Sequence, residues 1–158
     1  MFRRLVVGLA IFLVGLSGPF FAWAQVDVGS SVYIPREYTV DDNLVAIGVP
    51  SLDVIGRVNG DVLVLAQDVT IKGEVMGDVL IAALNVKIEG VVHGDVRGAA
   101  DSLVISGPVD GNVTVFASKF SLTKTGTIGA SLALMADRAE LLGQVNRHVD
   151  ADVGHSTV

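Results

Sequence analysis

Apolar and polar residues follow a short alternation along this chain, and the alternation restarts at a fixed interval. It reads Gly56-Arg57-Val58-Asn59-Gly60-Asp61-Val62, then returns as Gly73-Glu74-Val75-Met76-Gly77-Asp78-Val79. Two further copies are Gly90-Val91-Val92-His93-Gly94-Asp95-Val96 and Gly107-Pro108-Val109-Asp110-Gly111-Asn112-Val113. The frame then loosens into Gly126-Thr127-Ile128-Gly129-Ala130-Ser131-Leu132 and Gly143-Gln144-Val145-Asn146-Arg147-His148-Val149. The opening glycines stand 17, 17, 17, 19 and 17 residues apart. A fixed period of this size marks a solenoid, whose units bury their apolar faces only by stacking.

The third position of each copy holds Val58, Val75, Val92, Val109, Ile128 and Val145, and the seventh holds Val62, Val79, Val96, Val113, Leu132 and Val149. Ala66, Ala83, Ala100, Ala117 and Ala136 fill the eleventh, and pairs such as Val69/Ile71 and Val86/Ile88 close each coil. Alternation of apolar with polar residues is strand periodicity, and β-branched residues suit a pleated, half-buried surface. Residues 132–142 have helical composition but keep the register of the earlier coils, so they read as strand. A coil of 17 residues has room for three strands of about four residues plus corners. Glycine at the corners tolerates positive φ and carries no side chain to meet the next coil. The prediction is an all-β, single-stranded parallel β-helix of about six coils, with Lys124-Thr125 as a corner bulge. Asp42 to Ile55 reads as a partial leading coil if Pro50 is a one-residue insertion.

The division of the chain follows. Residues 1–24 read as a secretory signal peptide: Arg3 and Arg4 precede the apolar run Leu5–Leu16, Pro19 breaks it, and Ala22-Trp23-Ala24 supplies a cleavage site before Gln25. The alternative is an uncleaved anchor over residues 5–24, just long enough to span a bilayer. Residues 25–41 are a linker or an edge segment that lays a short strand over the first coil; 42–150 are the β-helix, and 151–158 a tail. The expected place is therefore exported (periplasmic, cell-surface or extracellular), or the inner membrane if the segment is kept.

Charge removes several classes of partner. Two of the 11 basic residues fall within residues 1–24, leaving 9 against 17 acidic ones and a net charge of −8. An acidic surface without a Lys/Arg cluster repels nucleic-acid phosphates and lacks a polybasic membrane patch. With no cysteine, stability comes from burial and backbone pairing alone.

The Gly-x-Val-x-Gly-Asp-Val frame, followed by an alternating Val-x-Ile run, resembles the bactofilin (polymer-forming cytoskeletal) repeat over about residues 42–149. The resemblance implies a right-handed, three-sided β-helix that assembles end to end into nucleotide-independent filaments and scaffolds envelope and cell-shape proteins. Bactofilins are typically cytoplasmic, whereas this chain opens on an export signal, and it is similar to the exported or membrane-attached members.

Candidate chemistry is sparse. Asp61, Asp78 and Asp95 stack in one ladder that continues as Asn112, Ser131 and His148. Carboxylates about 4.8 Å apart suit an oxygen-seeking cation such as Ca²⁺; equally, each carboxylate can cap its own turn backbone. The glycine-rich calcium nonapeptide is absent, and no metal is assigned. His93, His148 and His155 lack ligand spacing and read as surface or tail residues. No Gly-x-Ser-x-Gly elbow occurs, and no glycine-rich phosphate loop opens a helix. Asn112-Val113-Thr114 matches a glycosylation sequon inside a repeat. Phe116 and Phe120 are expected at core or corner positions.

The expected function is a non-catalytic scaffold of the cell envelope that self-assembles through stacked coil ends, with no catalytic, cofactor or metal residue assigned. Its expected partners are copies of itself, with envelope proteins or glycans beside them. The alternative is a β-helix enzyme, a hexapeptide-type acyltransferase or a glycan-acting protein. Hexapeptide coils repeat every six residues. Here the apolar steps through 58, 64, 69, 75, 81, 86 and 92 run six, five and six in each coil of 17. Arg147, His148 and Asp150 read as a polar cap on the last coil.

Overall fold

A computed structural model describes residues 25–27 and 30–155; the signal-peptide reading of residues 1–24 lies outside them. Among the described residues there are strands and no helix. Three short strands, β1 (Gln25–Asp27), β2 (Val32–Ile34) and β3 (Thr39–Val40), come first. Long and two-residue strands then alternate: β4 (Leu44–Val54), β5 (Arg57–Val58), β6 (Val62–Ile71), β7 (Glu74–Val75), β8 (Val79–Ile88) and β9 (Val91–Val92). The alternation continues with β10 (Val96–Ile105), β11 (Pro108–Val109), β12 (Val113–Leu122), β13 (Thr127–Ile128), β14 (Leu132–Leu141), β15 (Gln144–Val145) and β16 (Val149–His155).

Every pairing is parallel, one coil to the next. The long strands stand in the order β1-β4-β6-β8-β10-β12-β14-β16, with β2 beside β4, and the short ones in the order β15-β13-β11-β9-β7-β5-β3. This is the parallel β-helix that the 17-residue period predicts. Val62 faces Val79, which faces Val96, then Val113, Leu132 and Val149. The 19-residue step is absorbed by a turn at Lys124-Thr125. Seven long strands stack, one more than the six full copies of the frame, because β4, with β1 and β2 beside it, builds the leading coil. Pairing likewise runs past Asp150 to His155.

Two of the three expected strands of each coil are joined into one. Along β6, Val62 and Val64 point inward, Gln67 and Asp68 are both exposed, and Val69 and Ile71 point inward again. Two successive outward residues turn the chain through a corner without ending the strand. The ladder skips only that point, pairing Ala66 with Ala83 and Asp68 with Asn85. The third face is the two-residue strand.

The inserted residue of the leading coil is Gly48, not Pro50. Register slips between Ile47 and Val49, and Gly48 has φ +70°, a left-handed conformation that glycine adopts without penalty. Pro50 occupies the corner, level with Gln67, where no ladder bond is made and the missing N–H costs nothing.

The frame glycines are held by close approach and not by positive φ, which among the described glycines occurs only at Gly48 and Gly98. A Cβ on Gly90 would overlap the Gly73 carbonyl oxygen and stand 2.6 Å from the Lys72 carbonyl carbon. The core is a stack of ladders from Ile34 to Ala136 with no buried polar or charged residue among those described. Full burial of each Val or Ile is worth about 1.5–3 kcal/mol.

Candidate functional site: ladders, outer face and rod ends

The Gly-Asp pair of the frame works between coils. Asp61 Oδ1 accepts the backbone N–H of Asp78 at 2.8 Å, Asp78 Oδ1 that of Asp95 at 2.8 Å, and Asp95 Oδ1 that of Asn112 at 2.7 Å. Asn43 starts the ladder on the N–H of Asp61 at 2.7 Å. Each carboxylate thus caps the following coil's turn and not its own, the correction to the turn-cap expectation. The carboxylate reaches that amide by passing over a bare α-carbon: a Cβ on Gly77 would overlap Asp61 Oδ1 and stand 2.7 Å from Gly60 O. Where Ala130 replaces glycine, the bond from Ser131 N–H to Asn112 Oδ1 lengthens to 3.2 Å. Arg97 lies against the same ladder, Nη1 3.5 Å from Asp78 Oδ2 and Nη2 donating to Asp95 Oδ2. No cluster of three or more His, Asp or Glu suited to a metal occurs among the described residues.

The short strands carry a second polar cluster. Arg57 Nη1 is 2.9 Å from Glu74 Oε2. His93 sits between two carboxylates, Nε2 2.9 Å from Glu74 Oε1 and Nδ1 2.6 Å from Asp110 Oδ2. Hydrogen bonding to Glu74, and next to Asp110, raises the His93 pKa above its ordinary 6.5. The His93 hydrogen bond, aided by Arg57, lowers that of Glu74 below 4.5. Stability from the raised histidine is complete below pH 6.5 and is lost as pH climbs through its folded value. That from the lowered carboxylate is complete above pH 4.5 and is lost as pH falls through its folded value. The stability lost on His93→Gln is therefore expected to be greatest between pH 4.5 and 6.5 and to shrink above it. Urea midpoints measured across pH check this, and salt should narrow the difference because the cluster is solvent-screened. The signal for this cluster lay in the spacing: Arg57 to Glu74 and His93 to Asp110 are each 17 residues. His148 is exposed, and the side chain of His155 lies outside the described residues.

The outer face of the long strands departs from apolar-in, polar-out. Leu63, Leu65, Leu80, Phe116 and Met135 stand outward and exposed, with Phe116 at 56%. Phe120 is buried as expected, but Phe116 is not. It is four residues from Phe120 across a corner, and the corner's two outward residues invert the phase. The continuous apolar run Val62-Leu63-Val64-Leu65-Ala66 was the available signal, since apolar residues at successive strand positions occupy both faces.

The last coil is open. β15 and β16 end their sheets with one unpaired edge each. Leu141 and Val149 (46%) are exposed there, where their counterparts Leu122 and Leu132 are buried. Arg147, His148 and Asp150 are also exposed, but they leave this apolar end uncovered and make no cap over it. At the other end Ile34 and Val40 are buried. No helix among the described residues is long and apolar enough to cross a membrane.

Compared with known families, residues 56–146 match the model described as Bactofilin, polymer-forming cytoskeletal, which is more than half of the chain. No curated protein and no solved structure matches.

Proposed function

The chain belongs to the bactofilin family, and on that premise we propose that it is an exported scaffold of the bacterial cell envelope, built by stacking coil ends. Bactofilins are structural, polymer-forming cytoskeletal proteins; self-association is the property of the family, and catalysis is not. The observation that carries the stacking is the open last coil: paired strands on one side, unpaired edges on the other, and Leu141 and Val149 uncovered between them. An edge of this kind templates pairing with another chain. A second copy meets it with the same strand spacing, about 4.8 Å.

Export rests on the sequence of residues 1–24: two arginines, an apolar run and a small-residue cleavage site. If that segment is kept, residues 5–24 tether the rod to the inner membrane. Envelope proteins or glycans would then meet the outer faces of the polymer.

One experiment covers both halves. The full-length chain is expressed with a C-terminal tag, fractionated, and its N-terminus read by mass spectrometry; the exported form is then examined by electron microscopy and light scattering. The expected product begins at Gln25, leaves the cytoplasm and forms filaments. A chain that keeps Met1 and stays in the cytoplasm removes the export half. A chain that remains monomeric at every concentration and salt removes the stacking.

A further inference from the structure

The exposed apolar face of the long strands has no role in end-to-end stacking, because it runs along the rod. Its relief is specific. Ala82 and Ala99 form the floor of a trough, Leu65 is the wall on one side, and Phe116 stands as the wall on the other. All four lie in one outward column, one coil apart, in register along β6, β8, β10 and β12. Phe116 is 56% exposed and stands one and a half coils, about 7 Å, from the middle of the trough.

A protruding ring and a trough in the same column are self-complementary. When two rods lie face to face and antiparallel, a two-fold axis along the strands exchanges the ring of each with the trough of the other. The same operation sets the edge charges. One corner column beside this face, Asp68-Asn85-Ser102-Lys119-Arg138, runs from acidic at its N-terminal end to basic at its C-terminal end, while the column next to it holds Asp101 and Asp137. Antiparallel apposition brings the two ends of that column together and places Asp68 near Arg138. Parallel rods would lack this exchange.

We infer that this face is a lateral interface with a second copy of the chain, antiparallel, with each Phe116 seated over the other's Ala82 and Ala99. The strip from Ile47 to Met135 is about 24 Å long and about 16 Å wide at strand spacings. A pair of rods therefore buries roughly 800 Å², less than the 1,200 Å² or more of a stable specific complex. One pair is transient. Repeated along a filament, the same strip acts multivalently and holds. In that respect the inference rests on the polymer proposed above.

The test uses the exported full chain. Wild type is expected to give filaments paired two abreast in electron micrographs. Phe116→Glu should leave single filaments and cut the paired fraction at least about tenfold, the scale of a lost interface anchor. Asp68→Arg and Arg138→Asp should each weaken pairing, and the two together should restore it. The chain has no cysteine, so Ala99→Cys adds a single thiol. A bis-maleimide spanning about 10 Å, the distance between packed sheets, should join two such chains, whereas Met76→Cys on the short-strand face should not be joined. Crosslinking of Ala99→Cys in a chain that forms no filaments keeps the lateral interface and removes the polymer. Paired filaments that persist in Phe116→Glu overturn the interface. Flotation with phosphatidylglycerol vesicles that depends on Phe116, without crosslinking at Ala99→Cys, overturns it in favour of a membrane surface.

Discussion

Replacing Gly90 by alanine is expected to destabilise the rod by about 3 kcal/mol or more, the upper end of what overpacking costs. The new methyl group would overlap the Gly73 carbonyl oxygen and crowd the Lys72 carbonyl carbon at 2.6 Å. Both are backbone atoms, so no rotamer can relieve the contact. The Gly73 oxygen is also fixed by the hydrogen bond it accepts from Val91 N–H at 3.0 Å; retreat would break the ladder between β7 and β9. Gly48→Ala is the matched comparison. There φ is +70° and nothing lies within 4 Å of the added carbon, so only left-handed strain remains, about 1–2 kcal/mol. Urea unfolding followed by circular dichroism measures both. A Gly90→Ala loss no larger than that of Gly48→Ala would show that close approach is not what selects glycine in the frame.

Val149→Glu is expected to abolish filaments while leaving the rod folded. Val149 is the last member of the ladder through Val62, Val79, Val96, Val113 and Leu132, and the only one of the six that is exposed, at 46%. In a monomer the new carboxylate stays in water and costs little. At a stacked joint it would be buried against apolar residues with no partner, a penalty of several kcal/mol. A penalty of about 3 kcal/mol raises the concentration needed for assembly by roughly a hundredfold. Sedimentation across a concentration series reads that threshold, with unfolding curves to show that the rod is intact. Lys124→Glu, in the exposed corner turn, should leave the threshold where it was. Assembly of Val149→Glu at the wild-type threshold would mean that the joint lies elsewhere.

The ladders and the turn at Lys124-Thr125 were legible because a solenoid repeats its environment. Six copies of one position average away the ambiguity that a single strand carries. What repetition does not report is which neighbour a group serves. Asp61 and its equivalents look the same in sequence whether they cap their own turn or the next one. A glycine likewise looks the same whether it is needed for φ or for clearance. Pro50 is a louder signal of irregularity in the sequence than Gly48, yet a corner that makes no ladder bond accepts proline without any insertion. Phe116 stands outward because the alternation changes phase at a corner where two successive residues point outward, which a single strand period does not show. The histidine cluster has no short spacing, since its members meet only when the chain is written one coil per line.

Each coil of this rod bonds only to the coil before it and the coil after it, and 17 residues later the same bonds are made again. The molecule is therefore a counting device: its length is a whole number of steps of about 4.8 Å, one step for each repeat in the gene. A duplication or deletion of one repeat would lengthen or shorten the rod without asking any other residue to change. Length could then be tuned by unequal recombination alone, with no new fold to be found.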